Sequence, residues 1–114
     1  LAEADAAPRR IKEDAMLAHV AIFPTDQGSS VSAHVARVVA LIAESGLAYK
    51  VTAMGTQIEG EPDEVFDLIK RCHLEMRAHC ARVYTTVAID DRVGATGRLT
   101  GKIASLEAKL GREL

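Results

Sequence analysis

The chain has 114 residues, 14 basic against 16 acidic, for a net charge of −2. That is length for one domain, which at this size hides roughly 65% of its unfolded surface and folds without metal or disulfide support. The near-neutral balance argues against a general nucleic-acid binder, no apolar run approaches the ~20 residues of a membrane span, and no signal peptide is visible. With two Phe, two Tyr and no Trp, the core must be aliphatic.

Residues 1–15 are Ala-rich and charged around Pro8-Arg9-Arg10 and read as an arm outside the chemistry. The domain is expected over 16–114, with a possible translation start at Met16. Met16 to Phe23 reads as the first strand, apolar on both faces: Met16, Ala18, Val20 and Ile22 on one, Leu17, His19, Ala21 and Phe23 on the other. Pro24 ends it. Thr25 to Ser30 form a turn, with Ser29 or Ser30 expected to cap a helix that runs to about Ser45 and stops at Gly46. Its apolar stripe is Val31, Val35, Val38, Val39 and Ile42.

A hairpin follows. Leu47 to Ala53 alternates, and Gly55 to Gly60 returns with Thr56 and Ile58 to one side and Gln57 and Glu59 to the other. Pro62, Asp63 and Glu64 suit the first turn of the second helix, whose stripe is Val65, Ile69, Cys72 and Met76. Arg82 to Asp90 is the fourth strand. Asp91 to Gly97 is a loop, and Leu99, Ile103, Leu106 and Leu110 mark a last helix.

Strand, helix, strand, strand, helix, strand gives an α+β fold, a ferredoxin-like βαββαβ sandwich with an additional C-terminal helix. Both main helices then cover one sheet face. Back-to-back packing with a second copy is the expected cover for the other, with the last helix as an alternative or additional one. A homo-oligomer is expected.

Candidate chemistry divides by spacing. Cys72 and His79 share a helix face but lie about 10 Å apart along the axis. Zinc needs donors converging at roughly 2.0–2.3 Å, so Cys72, His73, His79 and Cys80 are not expected to hold a metal. Both cysteines fall in one helix, which suits a reducing cytoplasm. No nucleophile-elbow pattern occurs, and no catalytic residue is assigned. His34 is expected to be exposed, and His19 to be a satisfied interior or interface residue. Gly94-Ala95-Thr96-Gly97-Arg98 precedes a helix, where an anion could sit, but the full P-loop spacing is absent and a loop with a helix start is the plainer account. Lys102 and Lys109 read as a solvated face. Thr56 and Glu59 remain: a carboxylate beside hydroxyls can bind an amino-heterocycle, or be an exposed hairpin acid.

Ile22-Phe23-Pro24-Thr25, Ser30-Val31-Ser32, Glu44-Ser45-Gly46-Leu47, Met54-Gly55-Thr56-Gln57-Ile58-Glu59-Gly60 and Asp63-Glu64-Val65, continuing through Gly97-Arg98-Leu99, resemble the small thiamine-binding protein family (YkoF-like). The resemblance spans about Met16 to Gly111. Asp91-Arg92 stands where an aromatic residue is expected. It implies a homodimer or homotetramer that binds thiamine or its hydroxymethylpyrimidine half as ligand, with no cofactor and no established catalysis. Thr56 and Glu59 would belong to the binding region, with Thr25, Ser30 and Ser32 nearby, and Glu59 would take the pyrimidine edge. The competing readings are an enzyme acting on a pyrimidine-type metabolite, with Glu59 as acid/base and His19 assisting, and a structural oligomer without ligand.

Overall fold

The computed structural model describes residues 15–114. Residues 1–14, nearly all of the expected arm, lie outside the described residues. Strands β1 (Met16–Pro24), β2 (Ala48–Thr52), β3 (Gly55–Gly60) and β4 (Val83–Asp90) alternate with helices α1 (Ser32–Glu44), α2 (Pro62–Arg77) and α3 (Arg98–Leu110) in the expected order. The sheet runs β2-β3-β1-β4 with every neighbouring pair antiparallel. This is the ferredoxin-like sandwich, with α3 as the added element.

The two-residue period of a strand now assigns faces. Ala18 pairs with Ile58 and Ile89, and Val20 with Thr56 and Val87, so these residues look toward the helices. Leu17 pairs with Glu59 and Asp90, and His19 with Gln57 and Ala88, on the outer face. The core fills the helix side: Met16, Ala18, Val20, Ile22 and Ile58 pack against Val38 and Ile42 of α1 and Val65, Leu68, Ile69, Cys72 and Met76 of α2. The expected stripe of α2 is buried throughout, with Leu68 added to it.

Helix boundaries follow local chemistry, with one correction. Neither Ser29 nor Ser30 caps α1. The residue preceding the helix is Val31, which makes no side-chain cap hydrogen bond. Its carbonyl instead accepts the N–H groups of His34 and Val35, both at 3.0 Å, so the helix starts later than the serines and leaves them in the loop. At the other end Ser45 Oγ donates to the Ile42 carbonyl at 2.7 Å, and Gly46 takes φ +84°, a left-handed conformation that glycine adopts without steric cost. Pro62 opens α2, with Asp63 and Glu64 at its positive end.

The last helix is placed differently from the other two. It lies over the outer side, against β3 and β2, and buries none of its residues fully. Ile103, Leu106 and Leu110 remain exposed. Phe23 and Tyr84, in tilted contact on the same outer face with ring centroids 5.5 Å apart and planes at 53°, are also partly open. Among the described residues the outer face is therefore only partly covered.

Candidate functional site: a cleft under the β2–β3 hairpin

The hairpin between β2 and β3 turns in very little space. Thr52 Oγ1 donates to the Gly55 carbonyl at 2.7 Å and accepts the Met54 N–H at 3.4 Å, so one hydroxyl ties the turn at both ends. A Cβ on Gly55 would lie 2.7 Å from His19 Nε2 and 2.7 Å from the Val20 carbonyl oxygen, so only glycine fits here. The imidazole of His19 thus closes over the outer side of the same glycine that shapes the turn.

On the helix side, a cavity of about 200 Å³ opens between this hairpin, the second half of β1 and α1. Val35, Val38, Val39 and Ile42 of α1 form one wall, Val20 to Phe23 the base, and Val51 to Thr56 the roof. The walls are apolar, and side-chain hydroxyls come from Thr52 and Thr56. Thr56 is buried, as its pairing with Val20 requires. Met54 stands almost fully exposed at the tip.

The structure does not bring Thr56 and Glu59 together. Three residues apart on a strand, they point to opposite faces, and Thr56 meets the cavity while Glu59 lies under α3. Glu59 Oε2 accepts the Arg98 N–H at 2.8 Å and Oε1 accepts the Leu99 N–H at 3.3 Å. The α3 cap residue is Gly97, at φ +68°, which has no side chain to satisfy those donors. Glu59 is the missing cap, a buried carboxylate at a helix N-terminus where the dipole favours negative charge. The anion that the Gly94–Arg98 spacing suggested is supplied by the chain itself.

Thr25, Ser30 and Ser32 lie on and beside the exposed β1–α1 loop, at the same end of the sheet as the hairpin tip, and none of them lines the cavity. That loop is fixed to the start of β4: the Thr25 N–H donates to the Arg82 carbonyl at 3.0 Å, and Asp26 Oδ2 accepts the Ala81 N–H at 2.8 Å. Desolvation pushes the Asp26 carboxyl upward, but the Ala81 bond and its companions outweigh it and hold the pKa below the ordinary carboxylate value. Sequence reasoning missed Thr52, Val51 and the α1 wall. The signal available was α1's stripe, wider than two strands need, facing a glycine-pinched turn.

The cysteines and histidines disperse. Cys72 Sγ donates to the Val38 carbonyl at 3.8 Å inside the core, and burial pushes its thiol up to about 11. His73 Nδ1 meets Thr85 Oγ1 at 2.7 Å, and His79 meets Glu75 at 3.2 Å. Partly buried His34 accepts the Arg37 guanidinium at 2.7 Å, with Cys80 Sγ 3.5 Å from the same nitrogen. Among the described residues, no three His, Cys, Asp or Glu side chains cluster as a metal site would require.

Fold and cleft together define a small ferredoxin-like α+β domain with a hairpin-roofed apolar pocket. Residues 18–107 match the thiamine-binding protein family, and the chain belongs to that family. It is 33% identical over 103 residues to UPF0045 protein sll0230 of Synechocystis, covering 90% of this chain and 85% of that one. UPF0045 protein YqgV of Bacillus subtilis is 36% identical over 100 residues, covering 82% and 96%. Among solved structures, protein MJ1052 of Methanocaldococcus jannaschii superposes with a TM-score of 0.77 at 28% identity, over 82% of this chain and 96% of that one. A Thermotoga maritima protein named for thiamine biosynthesis or salvage shares the fold, with a TM-score of 0.73 at 20% identity, over 81% and 98%. The family is named for binding, not for a reaction.

Proposed function

We propose that this chain binds the hydroxymethylpyrimidine ring, free or as part of thiamine, in the cleft under the hairpin, without catalysing a reaction on it. The observation that carries this reading is the cavity itself. At about 200 Å³ it falls below the ~300 Å³ at which pockets for drug-sized ligands begin, so it suits one flat ring and not two. Thr56 offers a hydroxyl against otherwise apolar walls, as an amino-substituted heterocycle requires, and Thr52, whose proton goes to the Gly55 carbonyl, can only accept. Among the described residues no Asp, Glu, His, Lys or Arg lines it. A cationic thiazolium would gain no counter-charge inside, so that half of thiamine projects toward the mouth. The same lack of an acid or base beside the ring favours binding over turnover.

On this reading Thr56 touches the ring. Thr25, Ser30 and Ser32, at the same end of the sheet, meet whatever projects from the mouth. Glu59 acts indirectly, by holding α3 in place. The protein works as a homo-oligomer: the outer sheet face and the exposed stripe of α3 form a broad apolar surface that a second copy would cover. Its two free cysteines suit the cytoplasm.

Calorimetric titration with hydroxymethylpyrimidine, thiamine and thiamine phosphates tests this directly. Affinities within about tenfold of one another are expected, because the ring dominates and the remainder stays outside. A Val39→Phe variant, which fills the cleft from α1, should lose all of them. Absence of binding by every ligand in the panel would sink the reading.

A further inference from the structure

Once thioether sulfur is counted as a donor, one cluster between the two main helices has the makings of a metal site. Where α2 runs into the turn before β4, Met76 and Cys80 sit one helical turn apart, with the Cys80 N–H donating to the Met76 carbonyl at 3.1 Å. Cys80 Sγ lies 3.9 Å from Met76 Sδ and 3.5 Å from Nδ1 of His34 on α1. Met76 and Cys80 are both buried, and none of the three residues lines the cleft under the hairpin. Thiolate and thioether are soft donors that select Cu(I), and imidazole also suits copper. Take bonds of about 2.3 Å to sulfur and about 2.0 Å to nitrogen, the lengths zinc makes to cysteine and histidine. A trigonal ion then holds its two sulfurs about 4.0 Å apart, and each sulfur about 3.7 Å from the nitrogen. Both observed spacings fall within about 0.2 Å of these.

We propose that Cys80, Met76 and His34 form a binding site for one soft monovalent cation, Cu(I), between α2 and α1. Binding exchanges the Cys80 thiol proton, released to solvent, for the metal. Thiolate, Cu(I), thioether and neutral imidazole then sum to zero charge. A divalent ion in the same buried set would leave one unit uncompensated, which burial penalises. The imidazole already has the right tautomer. Arg37 donates from its guanidinium to His34 Nδ1 at 2.7 Å, so that nitrogen carries a lone pair and the ring proton is on Nε2. Arg37 must give up this bond when the metal enters, and a second acceptor stands beside it. Its Nε is buried without a hydrogen-bond partner, 3.7 Å from Glu75 Oε2, the same oxygen that His79 meets at 3.2 Å. A shift of the guanidinium from His34 to Glu75 pairs that orphan donor and frees the lone pair. The site does not depend on the ligand reading of the cleft.

Titration of the reduced full chain with Cu(I) against a chromogenic chelator, in the absence of oxygen, tests it. One equivalent should bind with the ultraviolet absorption of a thiolate–copper bond, and Zn(II) at the same concentration should not compete. Equal competition by Zn(II) would overturn the monovalent assignment. Cys80→Ser should abolish the absorption, whereas Cys72→Ala should retain it. Binding that survives the first variant or vanishes with the second would place the metal elsewhere. Met76→Leu and His34→Ala should each weaken affinity by about tenfold or more, and unchanged affinity in either overturns the three-donor set. Arg37→Met removes the competitor for the His34 lone pair and should tighten binding by about tenfold. If it does not, His34 is not the third donor. Should Cys80→Ser fail to fold, X-ray absorption on the native chain with Cu(I) added decides the matter. Two sulfurs and one nitrogen around the metal are expected, and any other set overturns the site.

Discussion

The carboxylate of Glu59 and the backbone N–H of Arg98, 39 residues apart, meet at 2.8 Å and fix the last helix to the outer face of the sheet. Among the described residues no other side chain caps α3, and the helix buries none of its own residues fully, so this contact carries more of its attachment than a cap usually does. Glu59→Ala should cost about 1–2 kcal/mol, as loss of a helix cap does, with more if the two N–H groups stay buried. Glu59→Gln retains one acceptor and should cost less. Hydrogen exchange at residues 98–101 is the measurement that separates a capping role from a ligand-binding one. Protection there should fall in both variants, while affinity for hydroxymethylpyrimidine changes little. Loss of binding with undiminished protection would return Glu59 to the ligand.

Gly55 gives a second prediction. A methyl group there would press on His19 Nε2 and the Val20 carbonyl, each at 2.7 Å. The imidazole can rotate away, but a carbonyl in the central strand cannot. Gly55→Ala is therefore expected to destabilise by about 1–3 kcal/mol, the usual range for overpacking. Adding His19→Ala should recover only part of that loss. Full recovery in a thermal or urea melt would mean that the carbonyl contact is immaterial.

Much of this was legible in the sequence because strands and helices announce themselves by period. The alternation in Thr56-Gln57-Ile58-Glu59 already placed Thr56 and Glu59 on opposite faces. It could not say what covered each face. The partner of Glu59 is a backbone segment nearly forty residues downstream, and a cap supplied from such a distance leaves no local spacing to read. The serines before α1 show the reverse failure: good capping residues sit at 29 and 30, but the helix starts on the carbonyl of Val31 instead. The cleft was hidden for a similar reason. Its lining is ordinary core sequence from α1, and only the geometry of the hairpin leaves space above it.

The two thiols should behave differently. Cys72 is held at about 11 by burial, from an ordinary 9.0, and hydrogen-bonds to the Val38 carbonyl. A raised pKa means the folded state keeps its proton where the unfolded state has lost it. The resulting stability is complete below pH 9.0, and falls as pH rises toward about 11. The difference of two units amounts to roughly 3 kcal/mol at most. Cys72→Ala or Cys72→Val should remove this alkaline sensitivity from urea melts, whatever its effect at neutral pH. Both thiols are buried, but in native protein alkylation should reach Cys80 first, since it is 5% exposed against 1% for Cys72 and its sulfur lies 3.5 Å from Nδ1 of partly buried His34. Equal labelling of both thiols would contradict the assignment.

The sharpest test of the cleft concerns Thr56. Thr56→Val keeps the shape of the side chain and removes the hydroxyl, so folding should be preserved while a hydrogen bond to the ring is lost. Losing a neutral hydrogen bond of about 0.5–1.5 kcal/mol predicts an affinity drop of roughly two- to tenfold for hydroxymethylpyrimidine and thiamine alike. The pH profile adds an independent check. Because no ionisable side chain among the described residues lines the cavity, affinity should stay flat from about pH 6 to 9, a range that spans histidine titration. An acid or imidazole touching the ring would instead imprint its own titration on the binding curve. A bell-shaped or sigmoid profile across that range, retained in Glu59→Gln but abolished in His19→Ala, would move the ring from the helix side of the sheet to the outer one. A flat profile together with a weakened Thr56→Val variant keeps it under the hairpin.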